Sequence, residues 1–168
     1  MDGIFFDLYL MKYKRLTKEQ FEALHVEFAN FLAAQSIDKK EWDELKVQQP
    51  EVAEQELDVF SDLIWEGVLD KASYLEHFSP QHIFLFHCEE TSMHSIIIKT
   101  NVLGVDFLQK EGLTWLSQQL FTPEVEIHTG MKTYEGERNL ALFELITQGA
   151  ILSEGQLYRQ LYEILNQS

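Results

Sequence analysis

His82-Ile-Phe-Leu-Phe-His-Cys-Glu89 and Ser92-Met-His-Ser-Ile-Ile-Ile-Lys-Thr100 are the two stretches on which the fold turns. Both are dense in β-branched and aromatic residues, and a short polar link joins them. That pattern predicts a β-hairpin at the centre of a sheet. A turn at Glu90-Thr91 sets His87 directly opposite His94, with Ile83, Leu85, Ile96 and Ile98 on the same face. A three-residue loop shifts the register and brings Cys88 opposite His94 instead.

Upstream of the hairpin the period is helical. Thr17-Lys-Glu-Gln20 is a capping box, and Phe21, Leu24, Phe28, Phe31 and Leu32 recur at helical spacing to about Gln35. Asp38-Lys-Lys-Glu41 opens a shorter helix through Trp42 and Leu45. Pro50 ends it and starts a third helix to about Lys71, whose buried stripe is expected to be Ala53, Leu57, Phe60, Ile64 and Val68. Downstream, residues 105–121 read as a helix with an awkward Gly112, and Pro123 precedes a strand from Glu124 to His128. Thr129-Gly130 marks a turn. Two more helices follow, one from about Glu137 to Gln148 and one opened by Ser153-Glu-Gly-Gln156 with Leu157, Leu161 and Leu165 as its apolar positions.

The expected class is therefore α+β, with a small antiparallel sheet around residues 82–100 and 124–128 covered by N-terminal and C-terminal helices. Residues 11–168 are expected to form a single domain. Met11-Lys-Tyr-Lys-Arg15 reads as a natural translation start, which makes residues 1–10 either a non-native extension or an edge strand over Ile4 to Leu10.

The composition narrows the function classes. A chain of 168 residues that is 45% hydrophobic and 24% charged has enough core to fold without disulfides or a structural metal. Its net charge of −15 repels phosphate backbones and anionic headgroups, so direct nucleic-acid binding is disfavoured. The longest apolar runs fall far short of a membrane span of roughly 20 residues, and no signal-peptide pattern is present. One cysteine, Cys88, allows no intrachain disulfide, which makes the cytoplasm the expected compartment.

Charge is uneven along the chain. Residues 17–80 carry 15 of the 28 acidic residues and 5 of the 13 basic ones. On the third helix Glu54, Asp58, Asp62, Glu66 and Asp70 follow at spacings of four and form one acidic stripe, with Trp65 and Leu69 on the same side. An exposed Trp among carboxylates would anchor a basic protein partner, because Trp is enriched in binding hot spots and carboxylates steer positive surfaces. The plainer reading is a solvated face with Trp65 packed under the N-terminal helices.

His77, His82, His87, Cys88 and His94 lie within 18 residues, beside Glu76, Glu89 and Glu90. His87 and His94 across the hairpin, with Glu89 as third ligand, form a candidate site for zinc or another divalent ion. The spacing matches no established zinc pattern, and strand histidines often only cap a sheet edge. Cys88 is adjacent in sequence to His87, but neighbouring strand residues point to opposite faces, so the pair is a poor nucleophile and base. His128, on another strand, is the other imidazole that could approach Cys88. Thr129-Gly-Met-Lys-Thr133 lacks the upstream glycine of a phosphate-binding loop and is set aside. Glu89, Asp106 and Lys99 are too scattered to make a nuclease core.

The run Met11-Lys-Tyr-Lys-Arg-Leu-Thr-Lys-Glu-Gln-Phe21, with Trp42, Pro50 and His82-Ile-Phe-Leu-Phe86, resembles a small family of uncharacterised proteins from Bacteroidetes bacteria. The resemblance covers most of the chain after Met11. It implies a bacterial, cytoplasmic protein and, having no assigned activity behind it, implies no functional residues. The favoured expectation is a non-enzymatic protein-interaction module, without a cofactor, that recruits an as yet unknown, basic partner through Glu54, Asp58, Asp62, Trp65, Glu66 and Leu69. The alternative is a metal-binding or metal-dependent hydrolytic protein built on His87, His94 and Glu89.

Overall fold

A computed structural model describes residues 9–167. The chain divides into two compact units, Met1–Val68 and Leu69–Ser168. The edge strand expected over Ile4 to Leu10 lies outside the described residues except for Tyr9 and Leu10, which are in no regular element.

The first unit is helical. Helix α1 (Lys18–Ala23) starts at the expected capping box: Thr17 accepts from the Gln20 backbone N–H and the Gln20 side chain accepts from the Thr17 N–H. The single helix expected over residues 17–35 is broken at Leu24, whose ψ of 25° departs from helical geometry, and α2 (His25–Ala33) follows. The break re-aims the second segment while keeping Phe21 and Phe28 in contact, with ring centroids 5.7 Å apart. Asp38 caps α3 (Lys39–Gln48) by accepting from the Glu41 N–H at 2.8 Å. Helix α4 (Pro50–Lys71) begins on Pro50, where the missing N–H costs nothing. Phe60 from α4 packs against Phe21, Phe28 and Phe31, and Trp42 meets Phe28 edge-on at 5.2 Å, forming an aromatic core for this unit.

The second unit holds a five-stranded antiparallel sheet in the order β4-β3-β2-β1-β5. Its strands are β1 (Tyr74–Phe78), β2 (His82–Cys88), β3 (Ser92–Thr100), β4 (Val125–Thr133) and β5 (Ile151–Ser153). The hairpin takes the two-residue-turn register, with His87 opposite His94 and Leu85 opposite Ile96. Ile83, Leu85, Ile96 and Ile98 form one sheet face and pack with Phe107, Leu116 of α5 (Lys110–Gln119), and Tyr158 and Leu161 of α7 (Gln156–Leu165). Helix α6 (Arg138–Thr147) contributes the fully buried Leu142.

Three expectations are corrected here. The sheet gains β1 and β5, which lack the alternating apolar pattern that would have announced them. The chain does not turn at Thr129-Gly130: β4 runs straight through to Thr133, and Gly130 pairs with Ser95. The long β3 partner supplies hydrogen bonds along the whole segment, which outweighs the local turn signal of a Thr-Gly pair. Finally, α5 begins five residues later than expected, because residues 105–109 form turns that lay the Asp106 carbonyl against the helix. A Cβ on Gly112 would stand 1.9 Å from that oxygen, so the awkward glycine is a close-approach residue.

No helix among the described residues is long and apolar enough to cross a membrane.

Candidate functional site

The middle of the acidic stripe of α4 is covered by the chain itself. Residues 9–16 run along it, and Asp62 accepts from the Tyr9 hydroxyl (2.7 Å) and from the backbone N–H groups of Lys12 (2.7 Å) and Tyr13 (2.9 Å). Arg15 bridges Glu54 and Asp58, Lys12 reaches Glu66 at 3.1 Å, and the Tyr13 hydroxyl donates to the same carboxylate at 2.9 Å. Burial, reinforced by these carboxylates, pushes both tyrosine hydroxyls up to about 12, so they remain donors throughout the neutral range. The stripe is an internal cradle for a basic segment.

Of the six expected contact residues only Glu54 stays exposed. Leu69 is fully buried, Asp62 is 6% exposed and Trp65 is half-buried. The buried stripe of α4 also differs from the helical-wheel expectation: Val68 is exposed, whereas Ser61 is buried and accepts from the Leu16 N–H at 3.0 Å. The strap over residues 9–16 widens the covered arc, an effect no periodicity within α4 could indicate. Asp62→Ala removes the acceptor for three donors at once and is expected to cost about 2 kcal/mol of stability. Urea unfolding measures that loss, and trypsin cleavage after Lys12, Lys14 and Arg15 should accelerate in the variant.

Of the clustered histidines and Cys88, the fold brings only His87 and His94 together, while His77 and His82 fall on the opposite face of the sheet. His87 and His94 lie on the face of Ile83, Leu85, Ile96 and Ile98, with ring centroids 6.2 Å apart at the rim of the core. Glu89 bends back over them, placing Oε1 3.8 Å from His87 Nδ1 and Oε2 3.5 Å from His94 Nε2. Those separations are too long for direct hydrogen bonds and leave the groups free to engage something between or beside them. Among the described residues, however, no group of three or more His, Cys, Asp and Glu is arranged to hold a metal ion.

Strand β1 and α7 complete a cleft. Tyr74 of β1 pairs with His87 in the sheet and stacks on its ring at 4.6 Å and 12°. From α7, Tyr158 approaches His87 at 5.5 Å and stacks on Tyr162 at 6.1 Å, while the Arg159 guanidinium lies 5.3 Å from the Tyr74 ring centroid. These residues and Glu163 line a cavity of ≈ 390 Å³. Gly155 sets the approach of α7: its φ is +81°, and a Cβ there would meet the Tyr74 ring at 2.4 Å. The N-cap is thus Gly155 rather than Ser153, whose hydroxyl accepts from the Gly155 N–H at 2.9 Å.

Burial lowers the His87 pKa below its ordinary 6.5, against the pull of Glu89 and with the help of His94. His87 is therefore neutral at pH 7, one ring nitrogen donating and the other accepting. Because the folded value lies below the unfolded one, the stability linked to this group is present above pH 6.5 and is lost as pH falls through the folded value. Burial also pushes the Tyr158 hydroxyl up, which keeps it a donor.

The family model for a family of unknown function, DUF6495, matches residues 11–166. The chain belongs to this family. No curated protein and no solved structure matches it. In this family member the loop carrying Glu89 is held from beneath by Arg138, which the sequence did not mark. Its guanidinium donates to the carbonyls of Leu69 (2.8 Å), Ala72, Cys88 (3.2 Å) and Glu89 (2.9 Å), and to Asn139 Oδ1 at 2.8 Å. Asn139 in turn donates to Asp70 at 2.7 Å. Tyr134 adds a hydroxyl to the Glu89 carbonyl at 3.2 Å.

Cys88 faces away from His87 into the protein, 3% exposed, and burial pushes its thiol up to about 11. A thiol so protonated is no nucleophile at neutral pH. His128 sits on β4, exposed, 3.7 Å from Glu126, and its strand neighbour on β3 is Ile97. Lys99 pairs with Glu126 across β3 and β4, whereas Glu89 lies in the turn beyond the opposite end of β3. Sequence reasoning missed Tyr74, Tyr158, Arg159, Tyr162 and Glu163. The one available signal was the double i,i+4 spacing of Tyr158 with Tyr162 and Arg159 with Glu163 on one helix.

Proposed function

We propose that this chain is a cytoplasmic binding protein whose ligand is a small, flat, hydrogen-bonding organic molecule held in the cleft between β1, β2, β3 and α7. The observation that carries this reading is the convergence of two imidazoles, a carboxylate and three tyrosine rings on one ≈ 390 Å³ cavity at the rim of the core. That volume falls within the roughly 300–1,000 Å³ of small-molecule pockets, which combine apolar and aromatic walls with a few converging polar groups. The tyrosines supply stacking surface, neutral His87 supplies one donor and one acceptor, and Glu89 accepts. Arg159 and Glu163 at the mouth complement a dipolar edge.

Recruitment of a basic protein through α4 is the weaker reading, because the stripe already holds residues 9–16 and Leu69 is buried. A divalent ion on His87, His94 and Glu89 has their proximity in its favour and the absence of a suitably arranged trio among the described residues against it.

NMR of the histidine rings tests the proposal. In the free protein the His87 ring should titrate with a midpoint below 6.5. Heterocyclic fragments should shift the His87 and His94 signals at pH 7, and those shifts should vanish in Tyr162→Ala, which alters an exposed side chain of the wall. Acidification that protonates His87 should weaken binding. Fragments that leave both rings unmoved, or bind Tyr162→Ala equally well, would rule the cleft out. Saturable shifts with one equivalent of zinc would instead favour the metal reading.

A further inference from the structure

We infer that the outer edge of β4 is a homodimerisation surface, on which β4 of a second copy pairs antiparallel about Thr129 to join two sheets into one of ten strands. In the strand order β4-β3-β2-β1-β5, β4 has a partner on one side only among the described residues. It is nine residues long, and its side chains from His128 to Thr133 are exposed. Proteins usually blunt such edges by shortness, proline, bulges or charged side chains. The other edge follows that rule, since β5 has three residues. β4 carries charge, Glu126 and Lys132, but no other device: Val125-Glu-Ile-His-Thr-Gly-Met-Lys-Thr133 contains no proline, and its register with β3 is unbroken from Val125 to Thr133.

The occupant is identified by the sequence of the strand itself. Under a twofold axis at Thr129, Glu126 of each copy faces Lys132 of the other, and Ile127 faces Met131. Both charges therefore meet opposite charges twice in the dimer, and opposite-charge and apolar cross-strand pairs each favour pairing. Within its own sheet Glu126 has Lys99 as its register partner on β3, and His128 lies 3.7 Å away. Met131 is 63% exposed, on the same face as Ile127, which packs against the core cluster. Pairing would lay the exposed Met131 of one copy beside the Ile127 of the other and extend that core across the junction. An isologous contact of this kind closes on itself and builds no fibre.

Charge exchange on the full chain tests both the dimer and its register. Sedimentation equilibrium should give the wild type twice the 19.7 kDa chain mass. Glu126→Lys and Lys132→Glu, each alone, place like charges opposite one another twice and should raise the dimer dissociation constant about tenfold or more. An equimolar mixture of the two single variants restores both pairs and should recover the wild-type dissociation constant, as should the double variant. Because both positions are exposed, circular dichroism should show each variant folded. If one variant fails to fold, the double variant alone decides between recovery and loss. A wild type that stays at 19.7 kDa at NMR concentrations overturns the proposal, as does a mixture that dimerises no better than its components.

Discussion

Gly112→Ala should destabilise the second unit by about 3 kcal/mol or more, at the top of the range for overpacked interiors. The added methyl would stand 1.9 Å from the Asp106 carbonyl oxygen and 2.5 Å from its carbon. Both are backbone atoms, so no side-chain rotation relieves the clash, and α5 has to move bodily away from residues 105–109. That movement also lifts Leu116 from Ile83, Leu85 and Ile98, whose burial α5 shares with α7. Helix propensity pulls the opposite way, since alanine in a helix interior is favoured over glycine by about 1 kcal/mol. Gly67 on α4 shows what the substitution does without a neighbour: nothing lies within 4 Å of its Cβ position, and Gly67→Ala should stabilise the chain slightly. Urea unfolding of the two variants should therefore move in opposite directions. A Gly112→Ala protein as stable as the wild type would mean that the Asp106 carbonyl does not contact α5.

Arg138→Ala should cost about 3 kcal/mol, because one guanidinium satisfies carbonyls from the end of α4, from the segment before β1 and from the end of β2. Cys88 is buried, so its freed carbonyl finds no water to replace the lost donor, whereas the Leu69 carbonyl keeps only the Ala72 N–H at 3.2 Å. Lysine should not rescue: an ammonium is a compact charge with three donors, and it cannot reproduce a planar fork reaching four carbonyl oxygens on three segments. The loss also reaches the cleft. Glu89 is anchored through its carbonyl by Arg138 and Tyr134, and its carboxylate hangs from that anchor above His87 and His94. Hydrogen exchange at Glu89, Glu90 and Thr91 should quicken in Arg138→Ala and in Arg138→Lys while exchange in α1 to α3 is unchanged. If only global stability falls and the turn stays protected, Arg138 supports the fold without positioning Glu89.

Where local chemistry is self-sufficient, the chain states its structure openly. The Thr17 and Asp38 caps need only residues three positions away, Pro50 needs only its own ring, and the hairpin needs a two-residue turn between strong strand formers. All four formed where the residues demanded. The pairing of His87 with His94 followed from that turn alone, since a fixed turn fixes the register of every residue beyond it. Even the awkwardness of Gly112 was visible, though not what it meant.

The remaining features depend on partners far away in sequence. Thr129-Gly130 reads as a turn until β3 offers it a continuous ladder. Asp62 reads as one more solvated carboxylate until Tyr9, Lys12 and Tyr13, some fifty residues earlier, supply three donors to it. Trp65 and Leu69 read as a free surface on a wheel that sees only one helix. Tyr74, on a strand without an alternating pattern, joins the histidine cleft only because Gly155, eighty-one residues later, lets α7 approach its ring.

The residues alone thus determined the α+β class and the central hairpin, and narrowed its register to two, because periodicity, caps and turn signals act within a few positions. Tertiary packing decided which charges stay open, which strands border the sheet and which aromatic walls make the pair of His87 and His94 a cleft. Burial and electrostatic neutralisation arise from chain segments brought together across long loops, and no local pattern encodes which segments will meet.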